Sequence, residues 1–204
     1  MFLEPKLNNE PGMAGSGWIE VICGPMFSGK TEELIRRVKR AVIAKQTVKI
    51  FKPALDNRYD EQDIVSHNLN KLVSIPVRSS QEIWNAAEGF HVIAIDEAQF
   101  FDEGIVAVCN GLANKGHRVI VSGLDMDFEG NPFGPMPFLL CTAEFVTKLH
   151  AICTITGEVA SYSFRLSEHD ERVLVGEKNY YEPRCRKAFV EGMRQKAKVA
   201  KPTS

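Results

Sequence analysis

Residues 24–31 read GPMFSGKT and follow the apolar run WIEVIC. A glycine, four residues and then Gly-Lys-Thr is the spacing of a loop that wraps phosphate. Gly24 and Gly29 permit the backbone angles that turn successive N–H groups inward around an anion, with Pro25, Met26, Phe27 and Ser28 forming the arc between them. Lys30 supplies a point charge for the outer phosphates, and Thr31 a hydroxyl for Mg²⁺. A helix that opens here also aims its positive end at the anion. A second polar pair, Asp96-Glu97, closes the run HVIAIDE. Alternation along a strand sends neighbouring side chains to opposite sides, so one acid can hold the water shell of a metal while the other faces a second reactant. Asp96 suits the metal role beside Thr31, and Glu97 the base. Two chemistries remain open at this point: attack by water, as in a motor ATPase, or transfer to an acceptor hydroxyl.

These residues need a scaffold, and the hydrophobic pattern supplies one. WIEVICG (18–24), TVKIFKP (47–53), LVSIPV (72–77), HVIAIDE (91–97) and RVIVSGLD (118–125) read as strands. Residues 31–44, 79–89 and 102–115 read as helices, with apolar residues at helical spacing in the first and a capping box at Ser79 and Glu82 in the second. A further helix is expected near 137–149. Most of the strands are too apolar to carry a wet face, which suits a parallel sheet covered by helices on both sides. In such α/β sheets ligands gather at the carboxyl ends of the strands. GPMFSGKT, Asp96-Glu97 and Leu124-Asp125 all fall at such ends. Residues 54–70 are polar and turn-rich, as expected of a loop over the site.

Composition narrows the class. The 204 residues carry a net charge of −1, with 44% hydrophobic and 25% charged residues, and no apolar run approaches a membrane span. No global field draws the chain to nucleic acid. Five scattered cysteines without an export signal are expected to be reduced thiols in the cytoplasm. The expected organisation is a floppy leader (1–16), a phosphate-loop α/β domain (17–149), a small domain of short strands and turns (150–190) and a basic tail that frays (191–204).

The wider pattern separates the two chemistries. GPMFSGKTEELIRR, FKPALDNRY, IDEAQFF, GLDMDFEGNPFG, AEFVTKLHAIC and YEPRCRK occur in this order, and together they resemble the cytosolic-type (type II) thymidine kinases from about Trp18 to Arg186. The resemblance implies a RecA-like phosphate-loop domain with a small lasso domain. It further implies transfer of the γ-phosphate of ATP, with Mg²⁺, to the 5′-hydroxyl of thymidine, with Glu97 as general base. Residues 24–31, Asp56, Asn57, Arg58, Asp96 and Gln99 fall at the phosphate and metal end, and Arg165 is a phosphate contact or a surface ion pair. For the nucleoside the resemblance points to Met26, Phe100, Leu124, Phe128, Phe133, Ser163, the segment Val173, Leu174, Val175, Gly176, and Tyr181 closing over. Core packing is the competing role for Phe100 and Phe133. The resemblance favours a homotetramer that acts on the small molecules thymidine and ATP, without nucleic acid or membrane. An ATPase acting on nucleic acid, or a nucleotide-binding regulator without catalysis, are the alternatives.

One departure stands out. Where family members hold a structural zinc with two Cys-x-x-Cys or Cys-x-x-His pairs, this chain has Cys153-Thr-Ile-Thr156 and Cys185-Arg-Lys-Ala188. Two of four ligands are missing, neither Thr156 nor Ala188 supplies the donor that tetrahedral zinc prefers, and His150 and His169 lack the family spacing. No structural zinc is expected. Packing of Ile152, Ile155, Phe189 and Val190 is expected to brace the small domain instead, with Cys153 and Cys185 near enough for a disulfide.

Overall fold

The structure, a computed structural model, describes residues 17–54, 74–166 and 180–199. Six parallel strands form the main sheet: β1 (Trp18–Cys23), β2 (Val48–Pro53), β3 (Ser74–Val77), β4 (Val92–Ile95), β5 (Arg118–Gly123) and β6 (Phe145–Lys148), in the order β3-β2-β4-β5-β1-β6. Both faces are covered, as the apolar strands require. On β1, Ile19, Val21 and Cys23 face the core built with α2 (Ser80–Ala86), α3 (Gly104–Asn114) and α4 (Met136–Thr142). Ile22 faces the other way, onto Leu34, Val38 and Ala41 of α1 (Lys30–Ile43). The strand order puts β5 between β1 and β4, so the phosphate loop, the acid pair and Leu124 emerge side by side at one edge.

Several local expectations change. The helix anticipated over 137–149 stops at Thr142, and Phe145–Lys148 instead forms the edge strand β6, paired with β1 from Glu20↔Phe145 to Cys23↔Lys148. Its side chains alternate between half-buried and exposed, a period-2 pattern that the apolar stretch before it obscures. The basic segment expected to fray from 191 is, as far as Val199, part of a 14-residue helix, α5 (Arg186–Val199). The capping box at Ser79 and Glu82 does not form. Glu82 accepts from the Arg78 N–H (3.2 Å), while Asp102, just ahead of α3, accepts from the Ser80 N–H (2.8 Å) and hydroxyl (2.6 Å).

Beneath α1 lies a buried ionic cluster. Glu20 is fully buried and accepts from Trp18 Nε1 (2.7 Å), Arg118 Nε (2.6 Å) and Arg37 NH1 (2.8 Å). Arg37, also fully buried, reaches Glu33 (2.8 Å) and the Thr147 hydroxyl of β6 (2.8 Å). One carboxylate thereby joins β1, β5, α1 and, through Arg37, the edge strand.

The stretch expected to be a small domain holds the ribbon of β7 (Ala151–Ile152) and β8 (Val159–Ala160) and the antiparallel pair β9 (Tyr162–Arg165) and β10 (Tyr181–Arg184), followed by α5. The brace expected from Ile152, Ile155 and Val190 is absent: Ile152 and Ile155 are 65% and 61% exposed, and Val190 38%. Short ribbons have no inside for them. Packing comes instead from two clusters, one of Ala151, Cys153, Ala160, Cys185 and Ala188, and one of Tyr162, Phe164 and Phe189. Of the expected brace only Phe189 is used, stacked on Tyr162 with ring centroids 4.4 Å apart.

Candidate active site

The phosphate loop is held open by its own polar atoms. Gly24 has φ 143° and Gly29 φ 85°, and Phe27, although not a glycine, sits at φ 64°. A Cβ at Gly24 would collide with the Leu149 carbonyl, so this position is closed to any side chain twice over, by angle and by space. Ser28 Oγ and Lys30 Nζ both donate to the Pro25 carbonyl at 2.8 Å, drawing the ammonium across the mouth of the loop. Met26 N–H donates to Ser163 Oγ of β9 at 2.9 Å. Gly24→Ala is therefore expected to abolish measurable ATP binding while the far side of the sheet stays folded. Nucleotide titration with a circular-dichroism control checks this.

The acid pair lies beyond its strand rather than on it. β4 ends at Ile95, and Glu97 takes a left-handed conformation, φ 52° and ψ 41°, before a 3-10 turn at Ala98–Phe100. The divergence of the two acids, expected from strand alternation, is produced by this turn. A left-handed residue other than glycine costs on the order of 1–3 kcal/mol, which the surrounding contacts must offset. Those contacts are specific. Asp96 Oδ1 accepts from the Glu97 N–H (3.0 Å), and Asp96 Oδ2 from the Thr31 hydroxyl (3.3 Å). Glu97 Oε2 accepts from Gln99 Nε2, and Gln99 Oε1 accepts in turn from the Leu124 N–H (2.9 Å). Gln99 is buried and thus clamps the candidate base to the end of β5.

Burial sets the electrostatics. It pushes the Glu97 carboxyl above its usual range, and the neighbouring Asp96 adds to the rise, while Gln99 and Lys30 oppose it. Asp96 is raised too, by burial first, against Ser122, the Glu97 N–H, Lys30 and Thr31. Lys30 is lowered by burial, with Glu97 and Asp96 pulling it back. Two carboxylates and one ammonium in such a setting are stabilised further by a bound cation. Thr31 and Asp96 offer it hard oxygen donors, the chemistry Mg²⁺ prefers, so these residues fit the metal expected of them.

Several of the residues expected on the acceptor side lie among the described residues. Phe100 and Phe133 meet edge to face at 5.5 Å, both half-buried, so each packs against the other. The Phe133 N–H donates to the Asp125 carbonyl (3.2 Å), and Asp125 pairs with Lys148 (2.6 Å). Phe128 lies 5.0 Å from the Arg165 guanidinium, and Arg165 opposes Tyr181 across the β9–β10 pair. Tyr181 is buried at this seam. Arg165 is buried rather than at the surface. Asp56, Asn57, Arg58, the loop over 54–70 apart from Ala54, and Val173, Leu174, Val175, Gly176 lie outside the described residues.

The sequence reading missed the Gln99 clamp, the Met26–Ser163 link and the Asp125–Lys148 pair, because each joins segments far apart in the chain. A cavity of about 610 Å³ lined by Trp84, Leu112, Lys115 and His117 lies at the opposite end of the sheet. That is the end where parallel sheets do not place their chemistry.

The metal of the small domain fails the same donor test that Mg²⁺ passes. Beside Cys153 and Cys185 stand the Thr156 hydroxyl, 3.5 Å from Cys185 Sγ, and the methyl of Ala188 in the same apolar cluster. His150 bonds instead to Ser161 Oγ (3.2 Å), and His169 lies outside the described residues. Two sulfurs, a hydroxyl and a methyl do not make a zinc site. Burial raises the Cys153 thiol, but hydrogen bonds from the Thr156 hydroxyl and the N–H groups of Cys185, Ile155 and Thr156 outweigh it and hold the thiol down at about 6.

With the geometry in hand, comparison with known proteins adds an independent line. The family model described as thymidine kinase matches residues 17–189. A protein of Bacteroides thetaiotaomicron named thymidine kinase is 57% identical over 174 residues, covering 85% of this chain and 87% of its own length. Thymidine kinases of Bacteroides fragilis and a Rhodothermus species are 56% and 54% identical, covering 88% and 93% of this chain and 90% and 88% of their own.

Proposed function

This chain belongs to the thymidine kinase family, and on that premise we propose that it transfers the γ-phosphate of ATP to the 5′-hydroxyl of thymidine, giving dTMP. The observation that carries the proposal is the Gln99 clamp. It fixes one oxygen of a buried carboxylate, which suits a base that must meet an acceptor hydroxyl at a set place.

The loop of residues 24–31 and the helix α1 bind the triphosphate. Thr31 and Asp96 would hold Mg²⁺, which, when bound, neutralises charge on the transferred group. Lys30 brings a second positive charge to the same phosphates. Glu97 Oε2 stays with Gln99 while Oε1 takes the proton of the 5′-hydroxyl. Burial raises the carboxyl towards the working pH, which makes it a stronger base than an exposed glutamate. Phe100, Phe133, Leu124 and Met26 offer flat and apolar area to a pyrimidine and keep water from competing with the sugar alcohol. Phe128, Ser163, Tyr181 and the segment Val173–Gly176 complete the acceptor side in this reading, and Asp56, Asn57 and Arg58 the donor side. We further take the protein to act in the cytoplasm as a homotetramer without structural zinc; among the described residues no helix is long and apolar enough to cross a membrane.

The deciding experiment follows γ-labelled ATP in the presence of thymidine, of DNA, or of neither. Label on the nucleoside supports the reading. Label appearing only as inorganic phosphate, and stimulated by DNA, overturns it in favour of an ATPase acting on nucleic acid. A second test addresses the clamp. Gln99 lowers the Glu97 pKa, so Gln99→Met should move the acid limb of the kcat profile to higher pH and reduce the plateau, with little change in the KM for ATP. An unchanged acid limb would remove Gln99 from the mechanism.

A further inference from the structure

We propose that Cys153 and Cys185 form a modification site, a peroxide-sensitive thiol pair that closes to a disulfide between the β7 ribbon and the start of α5. The argument begins with placement. Both cysteines are buried, 2% and 7% exposed, in one cluster with Ala151, Ala160 and Ala188. Cys153 Sγ accepts from the N–H of Cys185 itself, and the Thr156 hydroxyl serves both sulfurs, lying 3.5 Å from Cys185 Sγ. A sulfur bonded to its partner's own backbone amide, with one hydroxyl between the two sulfurs and both in one buried cluster, is a close neighbour of that partner.

The turn that carries Cys153 is built to present it. Gly157, at φ 73°, donates to the Cys153 carbonyl at 2.9 Å, folding residues 153–157 so that the Ile155 and Thr156 N–H groups converge on the sulfur. Donors of this kind stabilise a sulfur anion, as they would at a metal, but here no full ligand set accompanies them. The other thiols are differently placed. Burial pushes Cys23 and Cys109 up to about 11 and about 12, and Cys141 is exposed on α4.

The chemistry needs an oxidant small enough to reach nearly covered sulfurs, and hydrogen peroxide is one. The Cys153 thiolate attacks one peroxide oxygen, the O–O bond breaks, and hydroxide leaves, taking a proton to become water. Cys153 is then a sulfenic acid. Cys185 Sγ attacks that sulfur, the S–O bond breaks, and the hydroxyl departs as a second water with the Cys185 proton. Two thiols and one peroxide give one disulfide and two waters. The new bond ties the end of β7 to the residue between β10 and α5, so Tyr181 and its strand are held to the ribbon.

The test uses the full chain carrying Cys141→Ser, which removes the exposed thiol. After reduction and removal of reductant, hydrogen peroxide should remove two of the four remaining alkylatable thiols and two hydrogen masses per chain. Peptide mapping should place the link between Cys153 and Cys185, and a dithiol should reverse it. With Cys185→Ser, Cys153 should stop at a sulfenic acid trapped by dimedone. The mapping does not use Cys185→Ser, so it stands if that variant fails to fold. All four thiols remaining alkylatable, separate over-oxidation of the two sulfurs without a link, or close to one zinc per chain retained through chelator dialysis would each overturn the proposal.

Discussion

Glu97→Gln leaves ATP binding in place and slows phosphoryl transfer to thymidine by roughly 10²–10⁴-fold, the usual share of a positioned general base. The substitution keeps the size of the side chain and removes only its ability to accept a proton in ionised form. The phosphate loop does not depend on it: Ser28 and Lys30 bond to Pro25, and Thr31 to Asp96. Stability should move the other way. Burial places the folded pKa of Glu97 above its unfolded value, so the folded state binds the proton more tightly. Its ionisation therefore costs nothing below the unfolded pKa and destabilises progressively as pH rises through the folded one. Glutamine removes that cost, and the variant should unfold at the same temperature as the parent or higher at neutral pH. Steady-state kinetics, a nucleotide titration and a thermal scan test the three parts together; near-normal turnover would end the assignment of Glu97 as base.

Glu20→Ala should be the most damaging single change outside the site, at about 3–5 kcal/mol. Removing this carboxylate leaves the buried Arg37 and Arg118 guanidiniums facing each other without the charge that separates them. Against the roughly 5–15 kcal/mol of a typical domain this is a large part of the whole. Arg36→Ala is the control. Arg36 also pairs with a glutamate, Glu33 at 2.6 Å, but its side chain is 48% exposed, and solvent reduces such pairs to about 1 kcal/mol or less. Urea unfolding of both variants measures the difference. Equal midpoints would mean that the cluster contributes packing rather than charge.

The residues that announced themselves in the sequence were those whose signal is local. Apolar runs ending in glycine or acid gave the parallel strands, and GPMFSGKT gave the loop and the start of α1. Edge strand β6 was hidden because only Thr142, Ala143 and Glu144 separate FVTK from the apolar LLC, and a helical period can be drawn through both. Helix α5 was hidden because, in a basic stretch, Ala188, Phe189 and Met193 give few apolar points, and it gains its stability from Tyr162 and Phe164 of another strand. The acid pair was recognised, but its backbone was not: nothing in IDEAQ states that Glu97 takes a positive φ. The Glu20 cluster joins Glu20 to Arg118 across 98 positions and Arg37 to Thr147 across 110, separations that no window of pattern spans.

The bond from Met26 N–H to Ser163 Oγ spans 137 positions. Its consequence concerns evolution and engineering alike. A chain cut near residue 150 would keep every letter of the nucleotide fingerprint and yet lose the hydroxyl that orients one of its amides. Grafting the donor half alone onto another acceptor module would carry over the recognisable motif without its full shape, so the two halves must be exchanged, or inherited, as a matched set.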